Sequence, residues 1–190
     1  MLETMGKALI GSLTVFCFLA GGAVSAPADQ KDARLPALFD ALKSAPSSAA
    51  AAAVEAKIWT IWLEANDPAI DTLMEEGSNA MTAQQFGTAL EKFNAIIAQR
   101  PGFAEGWNKR ATLFYLMGDY VHSLADIDQT LELEPRHIGA LSGLGLVNLQ
   151  MEREEAAADA FRRVLTIDPQ NVGAKTNLTI IQDILKRKSI

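Results

Sequence analysis

Cysteine is nearly missing from this chain of 190 residues: Cys17 stands alone, which excludes an intramolecular disulfide and a thiolate zinc cluster. Proline is scarce, tyrosine scarcer, and Val and Thr form few clusters, which argues against an all-β chain. Positive charge is also in deficit. With 17 Lys and Arg against 23 Asp and Glu the net charge is −6, so no basic field attracts phosphate, and nucleic acid is not an expected partner. Alanine is the most abundant residue and loses no side-chain entropy in a helix, so the composition favours an all-α fold. An apolar share of 49% and a charged share of 21% lie in the globular range, and the length suits one domain.

The signatures of catalysis are equally thin. There is no G-x-S-x-G elbow, phosphate-binding loop, H-E-x-x-H helix or calcium-loop spacing. His122 falls in a turn and His137 in a loop, and neither can pair with the lone Cys17 once the N-terminal segment is set aside. Neighbouring carboxylates such as Glu75-Glu76 and Glu154-Glu155 point in different directions on a helix and read as solvated face. The glycines Gly139, Gly143 and Gly145 read as small residues that permit close packing or backbone access. The expectation is a non-enzymatic protein with no cofactor and no metal.

Residues 1–28 have the pattern of an export signal: Lys7 supplies a thin positive start, and residues 8–24 run without a charge. Two small-residue cleavage patterns overlap, Val24-Ser25-Ala26 and Ala26-Pro27-Ala28. The first places Pro27 directly after the cut, so cleavage after Ala28 is favoured. The alternative is an uncleaved membrane anchor, since the apolar run approaches a spanning length, and membrane contact is expected only in that case. Either way the remainder is expected outside the cytoplasm, which in a Gram-negative cell is the periplasm.

Pro101, Pro135 and Pro169 are equally spaced along the chain. Superposing residues 70–103, 104–137 and 138–171 aligns Leu73, Trp107 and Leu141; a small column of Gly77, Ala111 and Gly145; another of Ala89, Ser123 and Ala157; and a large one of Phe93, Ile127 and Phe161. Within each unit apolar residues recur at three- and four-residue spacing in two stripes, so each unit reads as helix, turn, helix, turn. Proline then ends the second helix by lacking an N–H.

Trp107, Ala111, Phe114, Gly118-Asp119-Tyr120 and Pro135, followed by Gly145, Ala157, Phe161 and Pro169, resemble the tetratricopeptide repeat family with its W-x2-L-G-x2-Y, A-x3-F and P signature. Arg110, Ser123 and Asn148 depart from it, and Gln84 and Glu152 stand where the turn glycine is expected. The resemblance implies an all-α, right-handed helical solenoid of three helix pairs. Residues 172–190 read as a capping helix, with Leu178, Ile181, Ile184 and Leu185 on one side. Residues 29–69 form an Ala-rich helical lead-in with the pattern of a degenerate repeat. In it Trp59 and Trp62 are either buried against the first repeat or a second contact surface for a partner.

The family uses the concave face, lined by the first helix of each pair, to hold a peptide or a partner helix. Its groove columns map onto Met74, Ser78 and Met81, then Asn108, Thr112 and Tyr115, then Ser142, Leu146 and Leu149, with Lys109 and Gln150 beside them. This mixture suits an apolar peptide or helix rather than a free C-terminal carboxylate, since Lys109 is the one cation near those columns. Met74, Leu146 and Leu149 could equally pack on neighbouring helices. The expected role is a protein–protein interaction module of the cell envelope. The alternative is a structural or assembly subunit that self-associates or packs permanently in an envelope complex.

Overall fold

The computed structural model describes residues 30–188; the expected export segment, residues 1–28, lies outside the described residues. All regular structure among them is helical: α1 (Leu35–Lys43), α2 (Ser48–Leu63), α3 (Pro68–Thr82), α4 (Phe86–Gln99), α5 (Ala104–Leu116), α6 (Tyr120–Leu133), α7 (Ile138–Gln150), α8 (Glu154–Ile167) and α9 (Val172–Lys188). Helices α3–α4, α5–α6 and α7–α8 pack as antiparallel pairs, each pair lies against the next, and α9 covers α8. The repeat boundaries at 104, 138 and 172 coincide with helix starts.

The small-residue column sets the distance within a pair. An added Cβ would lie 2.7 Å from Phe93 Cε1 at Gly77 and 2.5 Å from Phe161 Cε2 at Gly145, so the rings of α4 and α8 occupy the space that a side chain would need. The middle pair tolerates Ala111 because its facing residue is the slimmer Ile127, and the Ser123 hydroxyl donates to the Ala111 carbonyl at 2.8 Å.

The departures from the repeat signature are satisfied locally. Arg110 lies over the Trp107 ring at 5.0 Å and donates to both Asp126 carboxylate oxygens at 2.7 and 2.8 Å, and to Asn94 at 2.6 Å. It thereby ties α5 to α4 and α6. Asn148 donates to the Leu144 carbonyl at 2.8 Å. Trp107 itself is half-buried, with its indole N–H on the Pro101 carbonyl at 2.9 Å, so it is not the fully enclosed residue that its column suggests. Phe103 beside it is enclosed.

The three turns within pairs are one motif. Gln84, Gly118 and Glu152 have φ of 59°, 77° and 55°, and the residue after each donates to the carbonyl five positions back. This is a Schellman ending with a left-handed residue, which costs a non-glycine side chain on the order of 1 kcal/mol. Two of the three turns, at Gln84 and Glu152, therefore carry local backbone strain.

The lead-in does not extend the stack. Helix α1 packs on α8 and α2 on α5, so the α1–α2 hairpin lies across the second and third repeats rather than in front of the first. Leu35, Phe39, Leu42, Ile58 and Trp62 share one core with Ile138, Leu141, Phe161 and Val164. The lead-in is tied at each inter-repeat loop. Gln30 donates to the Gly102 carbonyl and accepts from Ala104 N–H at 3.3 Å, which supplies a cap for α5 where Phe103 has no side-chain acceptor. Arg136 stacks on the Phe39 ring at 4.0 Å, and Gln170 donates to the Ala45 carbonyl at 3.5 Å.

Gln84→Gly and Glu152→Gly should each raise stability by about 0.5 to 1 kcal/mol, because relief of the left-handed strain exceeds the extra entropy of glycine. Being in separate turns, the two gains should add. Urea unfolding reads this as higher midpoints at an unchanged slope, and a lower midpoint for either variant contradicts the strain assignment.

Candidate functional site

The concave columns do not form a uniform surface. Helices α5 and α7 border a cavity of about 160 Å³ that brings together Asn108, Thr112, Tyr115, Ser142 and Leu146 from the expected set. Its floor is Ala111, Ile127 and Val147, and Gly139 and Gly143 complete the α7 side. Met74 and Ser78 lie one repeat away, in a shallower depression shared with Thr60, Leu63, Glu64, Asn66, Asp71 and Glu75. Of these, Met74 is buried and Ser78 half-buried.

The other expected residues are engaged elsewhere. Met81 packs on the first-repeat core and Leu149 on the core around Phe161. Lys109 lies 3.5 Å from Glu105, and the exposed Gln150 accepts from the Tyr120 hydroxyl at 3.5 Å. Trp59 and Trp62 are spent inside the chain. Trp62 is 1% exposed and Trp59 half-buried, so the pair is not displayed as an open contact surface, and it is buried against the third repeat rather than the first. The reason is one acceptor surface: Trp62 stacks on the His137 ring at 4.2 Å and 8°, Trp59 meets that ring edge-on at 5.4 Å, and Trp59 fills the space beside Gly139.

Behind the tryptophans is a buried polar cluster that sequence reasoning missed. His137 is 0% and Glu105 1% exposed. The His137 Nδ1 accepts from Ala140 N–H at 3.2 Å, capping α7, so its Nε2 carries the proton and donates to Glu105 Oε2 at 3.1 Å. Asn108 donates to the same carboxylate oxygen at 2.9 Å. The cluster therefore joins α5, α7 and the hairpin. One signal was available: His137 occupies the position of Asn171 in the next unit, directly before a helix, where a capping side chain is expected.

Comparing equivalent junctions explains why the cavity is where it is. One repeat earlier, the positions of Gly139 and Gly143 are held by Glu105 and Lys109. Glu105 there carries its carboxylate to His137 and Asn108 with Lys109 beside it; between α5 and α7 Trp59 occupies the space at Gly139, and the cavity lies at Gly143. An added Cβ on Gly143 would stand 3.5 Å from Ile127 Cδ1, an ordinary contact, so this glycine is not required by packing. The cavity is lined by no charged residue. Among the described residues no group of His, Cys, Asp or Glu is arranged to hold a metal ion.

These repeats match the tetratricopeptide repeat model over residues 108–172. A TPR repeat-containing protein of Rhizobium etli is 32% identical over 152 residues, which cover 80% of this chain and 74% of that one, and the chain belongs to the tetratricopeptide repeat family. Similarity extends to the small glutamine-rich tetratricopeptide repeat-containing protein 2 of Mycosarcoma maydis, at 27% identity over 63% of this chain, and to the Hsp70-Hsp90 organizing protein of Triticum aestivum, at 31% over 57%. The match spans only 34% and 19% of those two relatives. In fold it resembles the Sgt2 TPR domain from Aspergillus fumigatus, with a TM-score of 0.61, 19% identity, and coverage of 64% of this chain and 82% of that one. The first TPR of Spaghetti (RPAP3), bound to the HSP90 peptide SRMEEVD, gives 0.59 at 20% identity, covering 62% and 93%.

Trp62→Ala should cost about 3 to 5 kcal/mol as truncation of an enclosed aromatic, whereas Trp107→Ala should cost about 1 to 2 kcal/mol because its ring is half-buried. A double-mutant cycle of Trp62→Ala with His137→Ala should return a coupling of roughly 0.5 to 1.5 kcal/mol. Additive losses in urea unfolding would mean that the stacked rings do not support each other.

Proposed function

We propose that this protein is a non-catalytic protein–protein interaction module of the cell envelope, which holds a peptide segment of its partner in the concave cavity between α5 and α7. The observation that carries the reading is the cavity itself, which lies at Gly143 beside the Gly139 that Trp59 packs on. Its walls offer apolar surface from Ala111, Ile127, Leu146 and Val147, and neutral polar groups at the rim from Asn108, Ser142 and Tyr115. Such a mixture takes up an apolar side chain and hydrogen-bonds the backbone around it. The family supports the interaction role, and an HSP90 peptide in one structural neighbour shows the mode of use in that protein. The envelope location rests on the pattern of residues 1–28.

A self-associating assembly subunit is the competing reading. It draws on the exposed Leu116, Met117 and Val121 around the α5–α6 turn, at 52%, 46% and 69% exposure.

Crosslinking in the native cell with a C-terminally tagged chain, followed by mass spectrometry, separates the two. A groove binder should begin at Asp29 and capture an envelope protein that is lost with Ser142→Arg plus Tyr115→Ala, while helicity stays unchanged. Both residues are half-buried, but Tyr115 also packs on the Ala111–Ile127 core and beside Tyr120, so Ser142→Arg alone must give the same loss of capture at an unchanged urea midpoint for the groove, rather than the fold, to be what is tested. Capture that survives the double variant defeats the groove assignment, and capture of the chain by itself alone supports assembly.

A further inference from the structure

We infer that the segment this groove takes is cationic: an extended stretch with one leucine- or phenylalanine-sized anchor and Lys or Arg about three residues away. The inference rests on the groove reading above and adds the charge of the occupant. A cavity of about 160 Å³ is close to the size that accommodates a benzene-sized group, so it admits one medium apolar side chain and not a row of them. Asn108 is 7% exposed and its Nδ2 is committed to Glu105, while its Oδ1 accepts no hydrogen bond among the described residues. That acceptor is free to take an N–H from an occupant of the cavity.

Charge enters one repeat along the same face. The depression beside α3 presents Glu64, Asp71 and Glu75 and no Lys or Arg among its lining residues. Arg34 offsets only Glu64, from 3.7 Å. Asp71 accepts from Ala65 N–H at 3.0 Å and Arg100 donates to the Ala65 carbonyl, so Arg34 and Arg100 stand against three carboxylates and the patch stays net negative, while Lys109 is already held by the buried Glu105. An acidic segment would therefore meet net repulsion, and a basic one net attraction. Neighbouring helices are spaced by about 8 to 10 Å and an extended chain advances roughly 3.3 Å per residue, so an anchor in the cavity places a residue about three positions away beside Glu75.

Nitrogen-labelled full chain, titrated by NMR, tests this with two short Gly/Ser peptides that carry one leucine and flanking residues about three positions to either side. One peptide has lysines there and the other glutamates. The lysine peptide should move the Ser142 and Gly143 amides and bind at least about fivefold tighter than the glutamate peptide, with the gap closing at high salt. Glu75→Lys and Thr112→Lys, both at exposed positions, should weaken the lysine peptide and spare the glutamate one. Equal binding of both peptides at the cavity, or indifference to the two lysine variants, overturns the cationic preference while the groove stands. If neither peptide moves the cavity amides, or a leucine-to-serine peptide moves them as well, the groove reading itself fails.

Discussion

Each outer helix pair in this solenoid is spaced by a ring pressed against a missing side chain. Phe93 fits over Gly77 and Phe161 over Gly145, at distances that leave no room for a Cβ. Because protein interiors are close-packed, this contact fixes how near the two axes come and hence where the first helix of every pair faces the concave side. The rest follows once per repeat: a left-handed residue reverses the chain, and a proline loop starts the next unit. Side chains at equivalent positions are thereby brought to equivalent places, and their differences become directly comparable.

The cavity lies where the repeat is broken. At the first junction the equivalent positions are Glu105 and Lys109, 3.5 Å apart, and Glu105 also anchors His137 and Asn108. At the second junction the same two positions are Gly139 and Gly143, and they serve different ends: Gly139 admits the edge of Trp59, while Gly143 faces open space above Ile127. A buried carboxylate is costly unless its charge is compensated; here His137 and Asn108 both donate to Oε2, while Oε1 has the Lys109 ammonium at 3.5 Å and no hydrogen bond. The polar cluster is thus the structural counterpart of the cavity beside it.

Much of the fold was legible because the pattern repeats. Proline spacing located the helix starts at 104, 138 and 172, and the small and large columns identified which faces meet. Gln84 and Glu152 could be recognised as glycine substitutes from position alone, and their positive φ agrees. What periodicity could not convey was anything occurring once. The hairpin of α1 and α2 has no second copy to align, so nothing in Ile58-Trp59-Thr60-Ile61-Trp62-Leu63 says which repeat it meets. The burial of Trp62 depends on His137, two repeats further along the chain, and that of Glu105 on the loop at the far end of its own unit. Among the groove residues, the columns gave direction but not depth: Met74 and Asn108 are enclosed where Thr112 is open.

The hairpin also limits what the concave face can hold. In an uninterrupted groove the exposed length of α3, α5 and α7 would accommodate a partner helix, whose diameter with side chains is about 10 to 12 Å. Here Trp59 is pressed against Gly139, at one end of the cavity, and Thr60 and Leu63 form a wall of the depression beside α3. Helix α2 thus already contributes the helical ligand that such a surface can take, and it does so from within the chain, with no loss of translational freedom. An additional helix would have to displace Trp59 from Gly139. An extended segment needs no such displacement, because only one of its side chains must enter the space above Ile127 while its backbone passes along the rim. If the groove binds as proposed, the internal helix would disfavour a helical partner by occupancy, before any difference in contact chemistry is considered.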